Sequence, residues 1–350
     1  MASFEDAYGA PSTFREHVAK LGAANGRTRA AALDRLWSCL CHQGSVYPAS
    51  LAAVPLLFAR LAARGQRGRD EIIVLLHGIA VGDHSNFLDG THAGARGLKP
   101  GGKSIEARCF TAVAKRAATF RALLDDRDPR VRGAAAFVLG WLPDGGSSKK
   151  ILAGVGRERD ADARAAMLVA LGHLGASKAR PSLVAELAAK NEVIAASAAL
   201  GLFYLDGKKL ASEARVVLAK ASKRVLRTKQ PWNGGDLAAH ASVVLAKLPH
   251  RKSPETESAT KLIASLDKMG FEQANAQVVR LLKQLFRGRD TKLWKELERD
   301  QKALLRAIVV HGLGTWRGEV DYALRARGLP WLEGLPKMTN AKPGRHPSFA

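Results

Sequence analysis

Arg127-Asp128-Pro129-Arg130-Val131-Arg132-Gly133-Ala134-Ala135-Ala136-Phe137-Val138-Leu139-Gly140 returns in altered form as Arg159-Asp160-Ala161-Asp162-Ala163-Arg164-Ala165-Ala166-Met167-Leu168-Val169-Ala170-Leu171-Gly172. Val131 and Ala163 hold equivalent places, 32 residues apart. A third copy begins at Ile194 and runs Ile194-Ala195-Ala196-Ser197-Ala198-Ala199-Leu200-Gly201-Leu202-Phe203, 31 residues after Ala163. A period of this length marks a stack of helical repeats. One helix pair cannot bury its apolar face alone, so neighbouring pairs stack to bury it. The predicted fold is all-α: a solenoid of stacked antiparallel helix pairs with no β-sheet.

The rest of the chain fits that frame. At 350 residues it exceeds an ordinary single core, a limit that a repeat stack escapes. Hydrophobic residues make up 47% and aromatics only 6%, with alanine abundant, which suits closely stacked helices. Residues 14–42 predict a first helix pair. Residues 48–64 predict an apolar helix that Pro55 should kink or break. Residues 69–81 and 105–124 predict further helices. Between them, glycines at 82, 90, 94, 97, 101 and 102 and Pro100 predict a long loop over 82–104 that projects from the stack. Asp128-Pro129 opens the clearest repeat helix, with Asp128 as its cap and Pro129 in its first turn.

The domain reading has an N-terminal arm at 1–13, a solenoid over 14–249, a polar linker at 250–258, a helical cap at 259–336 and a flexible tail at 337–350. Within the cap, helices are predicted over 259–270, 272–287, 300–311 and 318–328. The first residues lack the charged-then-apolar layout of a secretory leader. No apolar run approaches the ~20 residues of a membrane span. Three cysteines make no disulfide framework and suit a reducing, cytoplasmic setting.

The helix pair with its Asp-Pro-x-Val-Arg-x-Ala-Ala opening (Asp128, Pro129, Val131, Arg132, Ala134, Ala135) and Leu-Gly closings (Leu139-Gly140, Leu171-Gly172, Leu200-Gly201) resembles HEAT repeats of the phycobilisome-lyase type. The segments Leu36–Ser50, Ala53–Leu57 and Leu123–Pro129, with Leu304–Ala307, Trp316, Tyr322 and Gly328–Pro330, are similar to a large group of bacterial HEAT-repeat proteins. Some proteins with such repeats act on tetrapyrroles and others are scaffolds. The resemblance therefore implies the architecture and no single activity. In physical terms, Asp128 caps a helix, Arg132 can reach acidic or carbonyl groups of a neighbouring repeat, and the alanines let paired helices approach.

Chemistry-bearing residues are few. His77, Asp83, His84, Asp89 and His92 fall within 16 residues and are the candidate metal ligands, since His and Asp bind zinc or iron. Their spacing matches no fixed motif and no cysteine ligand is near, so the plainer reading is a polar loop capping the side of the solenoid. Cys39-Leu40-Cys41-His42 has no second cysteine pair, and its thiols read as small core residues at a helix end. No Gly-x-Ser-x-Gly nucleophile turn and no Gly-x-x-x-x-Gly-Lys-Ser/Thr phosphate loop occurs. Trp141, Phe203 and Trp232 read as packing residues. No cofactor is expected.

The charge carries more. Lys and Arg number 55 against 32 Asp and Glu, a net +23 with an isoelectric point near 10.3. Such a surface attracts polyanions. A helix predicted over 211–228 would gather Arg215, Lys220, Lys223, Arg224 and Arg227 on one face, with Leu218, Ala221 and Val225 opposite. Lys208, Lys209 and Lys229 flank it. These eight are the candidate binding residues for a polyanion or partner, although a charge run also serves as a solvated face. The leading functional expectation is a non-catalytic scaffold holding a protein partner on a curved basic surface. The alternatives are a nucleic-acid binder, a repair-type protein being one form of it, and an enzyme or metal site built on 77–92.

Overall fold

The computed structural model describes residues 4–9, 12–82, 101–142, 144–248, 259–286, 294–314 and 319–344. The fold is an all-α solenoid; the described residues hold no strand, only two isolated β-bridges, Asp6 with Gly9 and Arg227 with Asp236. Internal contacts divide the chain into two compact units. One comprises residues 1–207 with 228–235, and the other 208–227 with 236–350.

The first unit contains α1 (Phe14–Lys20), α2 (Gly26–Leu40), α3 (Pro48–Ala62), α4 (Arg69–Val81), α5 (Ile105–Ala114), α6 (Ala117–Leu123), α7 (Pro129–Leu139), α8 (Ser147–Val155), α9 (Ala161–His173), α10 (Arg180–Glu186) and α11 (Glu192–Asp206). Its order is that of helix pairs: α6 packs on α7, α8 on α9, α10 on α11, and α9 packs between α7 and α11. The repeat begins with the same chemistry each time. Asp128 accepts from the Arg130 amide, Asp160 from the Ala163 amide, and Asn191 from the Val193 and Ile194 amides. Each cap sits three residues before Val131, Ala163 or Ile194 and satisfies amides that a helix start leaves without partners.

The closing Leu-Gly pairs have a different cause. Leu139, Leu171 and Leu200 are all fully buried. The glycines beside them permit contact between backbones. A methyl on Gly201 would lie 2.6 Å from the Leu168 carbonyl oxygen, and one on Gly172 would lie 2.6 Å from Gly201 Cα. Helices α9 and α11 therefore meet main chain to main chain, a distance no side chain allows. Every residue of α9 from Ala165 to His173 is buried as a result.

The second unit contains α12 (Ser212–Ala221), α13 (Leu237–Lys247), α14 (Ala259–Ile263), α15 (Phe271–Leu285), α16 (Arg299–Val310), α17 (Glu319–Arg325) and α18 (Leu335–Thr339). Here α13 packs on both α12 and α15, α15 on α16 and α17, and α16 on α14 and α18. Leu266, Val278, Leu281, Leu282, Leu304, Leu305, Ile308, Leu324 and Leu335 form the core. Gly344 donates its amide to the Val309 carbonyl at 3.0 Å, so the chain after α18 lies against α16.

Four expected elements differ. Pro55 does not break α3, which runs unbroken from Pro48 to Ala62. Pro55 is exposed, so the bond it cannot donate is lost where water is at hand. The helix expected over 105–124 is two helices, parted at Lys115 and Arg116. That over 259–270 stops at Ile263, and residues 266–268 form a 3-10 turn. The helix expected over 211–228 ends at Ala221, with consequences described next. Of the expected loop over 82–104, residues 83–100 lie outside the described residues.

Candidate partner-binding surface

Seven of the eight basic candidates belong to the second unit. Lys208, Lys209, Lys220, Lys223, Arg224 and Arg227 are exposed and Arg215 is half-buried. They do not form one helical arc, because α12 stops at Ala221. The amides of Lys223 and Arg224 turn back to the carbonyls of Lys220 and Ala221. The buried amide of Gln273, on α15, donates to the Ser222 carbonyl at 2.5 Å and the Arg224 carbonyl at 3.2 Å. A side chain from elsewhere in the unit thus satisfies carbonyls past the helix end, and the chain leaves α12 in an extended course. Val225, expected on the packing face, is instead 73% exposed. Val216 on α12 is exposed as well.

Two of these cations have structural duties. Arg215 donates to the carbonyls of Leu210 and Lys208 at 2.9 and 3.0 Å, closing the turn that precedes α12. Arg227 meets the buried carboxylate of Asp236 at 3.3 Å, beside the β-bridge those residues form. Asp236 also caps α13 through the Ala239 amide. Lys208, Lys209, Lys220, Lys223 and Arg224 are exposed; Glu213 is the one carboxylate between positions 208 and 227.

Lys229 belongs to the first unit. With Gln230 and Pro231 it walls an open cavity of about 260 Å³ at the starts of α7 and α9, where Asp128, Arg130, Asp160 and Asp162 lie. Asp128 is held below the usual carboxylate range, first by the hydrogen bond from Arg130. The segment 228–235 reaches the repeat helices through Trp232, which is fully buried. Its indole N–H donates to the Ala166 carbonyl at 3.3 Å. Its ring centroid lies 4.8 Å from Phe137, 5.5 Å from Trp141 and 4.6 Å from His173. Gln230, itself buried, accepts from the Trp232 amide at 3.0 Å and fixes the turn. Trp141, Phe203 and Trp232 are thus packing residues, as expected; the bracing by Gln230 had no sequence signal.

Of the candidate metal ligands, Asp83, His84, Asp89 and His92 lie outside the described residues. His77 is buried, 4.3 Å from Phe137 and 5.6 Å from Trp141 between ring centroids. Among the described residues, no three His, Cys, Asp or Glu side chains gather to hold a metal ion. Cys39, Cys41 and Cys109 are free and buried. Burial pushes the Cys39 thiol up to about 11 and the Cys109 thiol up to about 12, and Cys41 is raised well above its ordinary value for the same reason. Protonated thiols are poor nucleophiles and poor ligands. No helix among the described residues is long and apolar enough to cross a membrane.

Residues 117–203 match the family model of HEAT repeats. That interval spans α6 to most of α11 and contains all three copies of the repeat. No curated protein matches the chain.

Proposed function

We propose that this chain is a non-catalytic HEAT-repeat scaffold that binds a protein partner through the exposed cations of its second unit. The observation that carries this reading is the company those cations keep. Lys208, Lys209, Lys220, Lys223 and Arg224 are exposed in the same stretch as two exposed valines, Val216 and Val225. A solvated charge run does not need exposed apolar side chains. A partner segment carrying both carboxylates and apolar residues would use both. Repeat solenoids supply extended surfaces for such binding, and the match of residues 117–203 to HEAT repeats supports the reading. The buried, protonated thiols fit a scaffold in the cytoplasm.

The test is a binding comparison in nuclease-treated extract of the source organism. The wild-type chain should retain a distinct protein, identified by mass spectrometry. Changing Lys208, Lys209, Lys220, Lys223 and Arg224 to Gln should release it, and Val225→Ser should weaken it. Retention of the same proteins by wild type and the five-fold variant would defeat the reading.

A further inference from the structure

The second unit carries another exposed feature, independent of the basic stretch. Tyr322 is 72% exposed and Trp331 46% exposed, and both belong to the far end of the chain. Tyr322 and Arg325 are three residues apart on α17 and therefore share a face. Ala323 and Leu324 point the other way, into the core. After α17 the chain reverses. Leu329 donates its amide to the Leu324 carbonyl at 3.1 Å and Gly328 donates to Arg325 at 3.0 Å, with Gly328 at φ 74°. This is the 6→1 closure that ends helices in a left-handed residue. The return is pinned where the Leu332 amide donates to the Asp321 carboxylate at 2.8 Å. Trp331 is thereby set against α17, with the Arg325 guanidinium 4.8 Å from its ring centroid.

The result is an exposed row of Tyr322, Arg325 and Trp331 whose backbone spacing is fixed. Its chemistry is a π-face, a cation and a second π-face. The carboxylate of Asp321 is engaged with the Leu332 amide, and Glu333 is the exposed anion nearest in sequence to Trp331. Over the unit as a whole the balance is strongly positive: residues 208–227 and 236–350 contain 27 Lys and Arg against 13 Asp and Glu. Exposed aromatics on a unit of this net positive charge match one ligand class well. Single-stranded nucleic acid presents unstacked bases to aromatic rings and phosphates to arginine. A duplex hides its base faces and would use only the charge.

We propose that the Tyr322–Arg325–Trp331 row is a single-strand nucleic-acid site, with bases stacking on Tyr322 and Trp331 and a phosphate held by Arg325. This activity does not rest on the protein-scaffold reading, since none of its residues belongs to the 208–227 stretch.

The probe is a fluorescein-labelled twelve-nucleotide oligothymidylate, titrated with the full chain at low and moderate salt. Wild type should bind, and binding should quench tryptophan fluorescence. Tyr322→Ala should weaken binding about five- to hundredfold, the usual range for loss of one stacking ring. Tyr322→Phe should restore it, because stacking needs the ring and not the hydroxyl. Arg325→Gln should make the dependence of log K on log salt shallower by about 0.7, one single-strand phosphate. Trp331→Phe should keep affinity and shrink the quench. Tyr322 is largely exposed, and an unchanged circular dichroism spectrum will show that its variants fold. Absence of binding at low salt overturns the proposal. So does equal binding by wild type and Tyr322→Ala, or equal competition by a duplex of the same length; either would mean that charge alone attracts the strand. Loss of binding in the five-fold 208–224 variant with no effect of Tyr322→Ala would move the strand to the basic stretch, which also overturns it.

Discussion

Arg132 on α7 and Glu158, two residues before the cap of α9, form a two-pronged pair: Nε meets Oε2 at 2.6 Å and Nη2 meets Oε1 at 2.7 Å. The same guanidinium donates to the carbonyls of Asp126 and Arg127 at 2.8 and 3.1 Å. Glu158 in turn accepts from the amides of Arg159 and Asp160 at 2.9 and 3.0 Å. One ion pair therefore closes the turn before its own helix and the turn before the next. One repeat on, Arg164, equivalent to Arg132, donates from Nη2 to Glu186 at the end of α10. The third copy has Ala195 at that place, and the ladder stops there.

Glu158→Gln should cost about 1–3 kcal/mol of unfolding free energy, because it leaves a part-buried guanidinium without its anion. Arg164→Ala should cost less than Arg132→Ala, since Arg132 also donates to the Asp126 and Arg127 carbonyls and closes the turn before its own helix. Urea denaturation monitored by circular dichroism measures both. A cost below ~0.5 kcal/mol for Glu158→Gln would be that of an exposed site.

The ladder also sets a pH dependence. Burial resists ionisation of Glu158, but hydrogen bonds from Arg132 and the Asp160 amide outweigh it, and its carboxyl is held below the usual range. Asp144 is lowered in the same way, burial being outweighed by hydrogen bonds from Arg121 and Ser147. A carboxylate with a depressed folded-state pKa stabilises the fold above its unfolded value, near ~4, and loses that contribution as pH falls through the folded value. The urea midpoint should therefore drop below about pH 4. The drop should be smaller in Glu158→Gln.

Gly172→Ala should destabilise the first unit. In an ordinary helix interior the change to alanine gains up to ~1 kcal/mol. Here the new methyl would overlap the Gly201 backbone, so α9 and α11 would have to separate. A loss of about 1–3 kcal/mol is expected, the usual range for overpacking. Gly156→Ala is the control, because nothing lies within 4 Å of its added methyl. A thermal melt that rises for Gly172→Ala would refute the close approach.

Leu171→Ala should cost about 2–5 kcal/mol, as for other large-to-small changes at fully buried leucines. Leu139→Ala and Leu200→Ala should fall in the same range, since both leucines are also fully buried.

Native protein should react slowly with a thiol-specific dye at pH 8. All three thiols are buried and their pKa values raised, so the thiolate is scarce. In urea all three should react at once. Fast native labelling of even one cysteine would contradict its burial.

The local order of the repeats was legible in the sequence. Capping acts within three residues, so Asp128 could be read as a cap from its place before Pro129, whereas the caps at Asp160 and Asn191 were found in the structure. Burial of Leu139 and Leu171, 32 residues apart, followed from the period, because equivalent places in a stack meet equivalent neighbours. The reach of Arg132 toward a neighbouring repeat was also readable, though not its partner. What helical periodicity could not give was the end of α12. Charge and apolar spacing continue through residue 227 as if the helix did, yet Gln273, more than fifty positions later, takes the Ser222 carbonyl. A distant donor can replace the next helical amide, and no local pattern records it. The same is true of Trp232, whose place depends on Ala166 and His173, and of Trp331, set against Arg325 by a chain reversal. Interactions between neighbours along the chain were fixed by the residues themselves; which side chains meet across many positions was decided only when the helices packed.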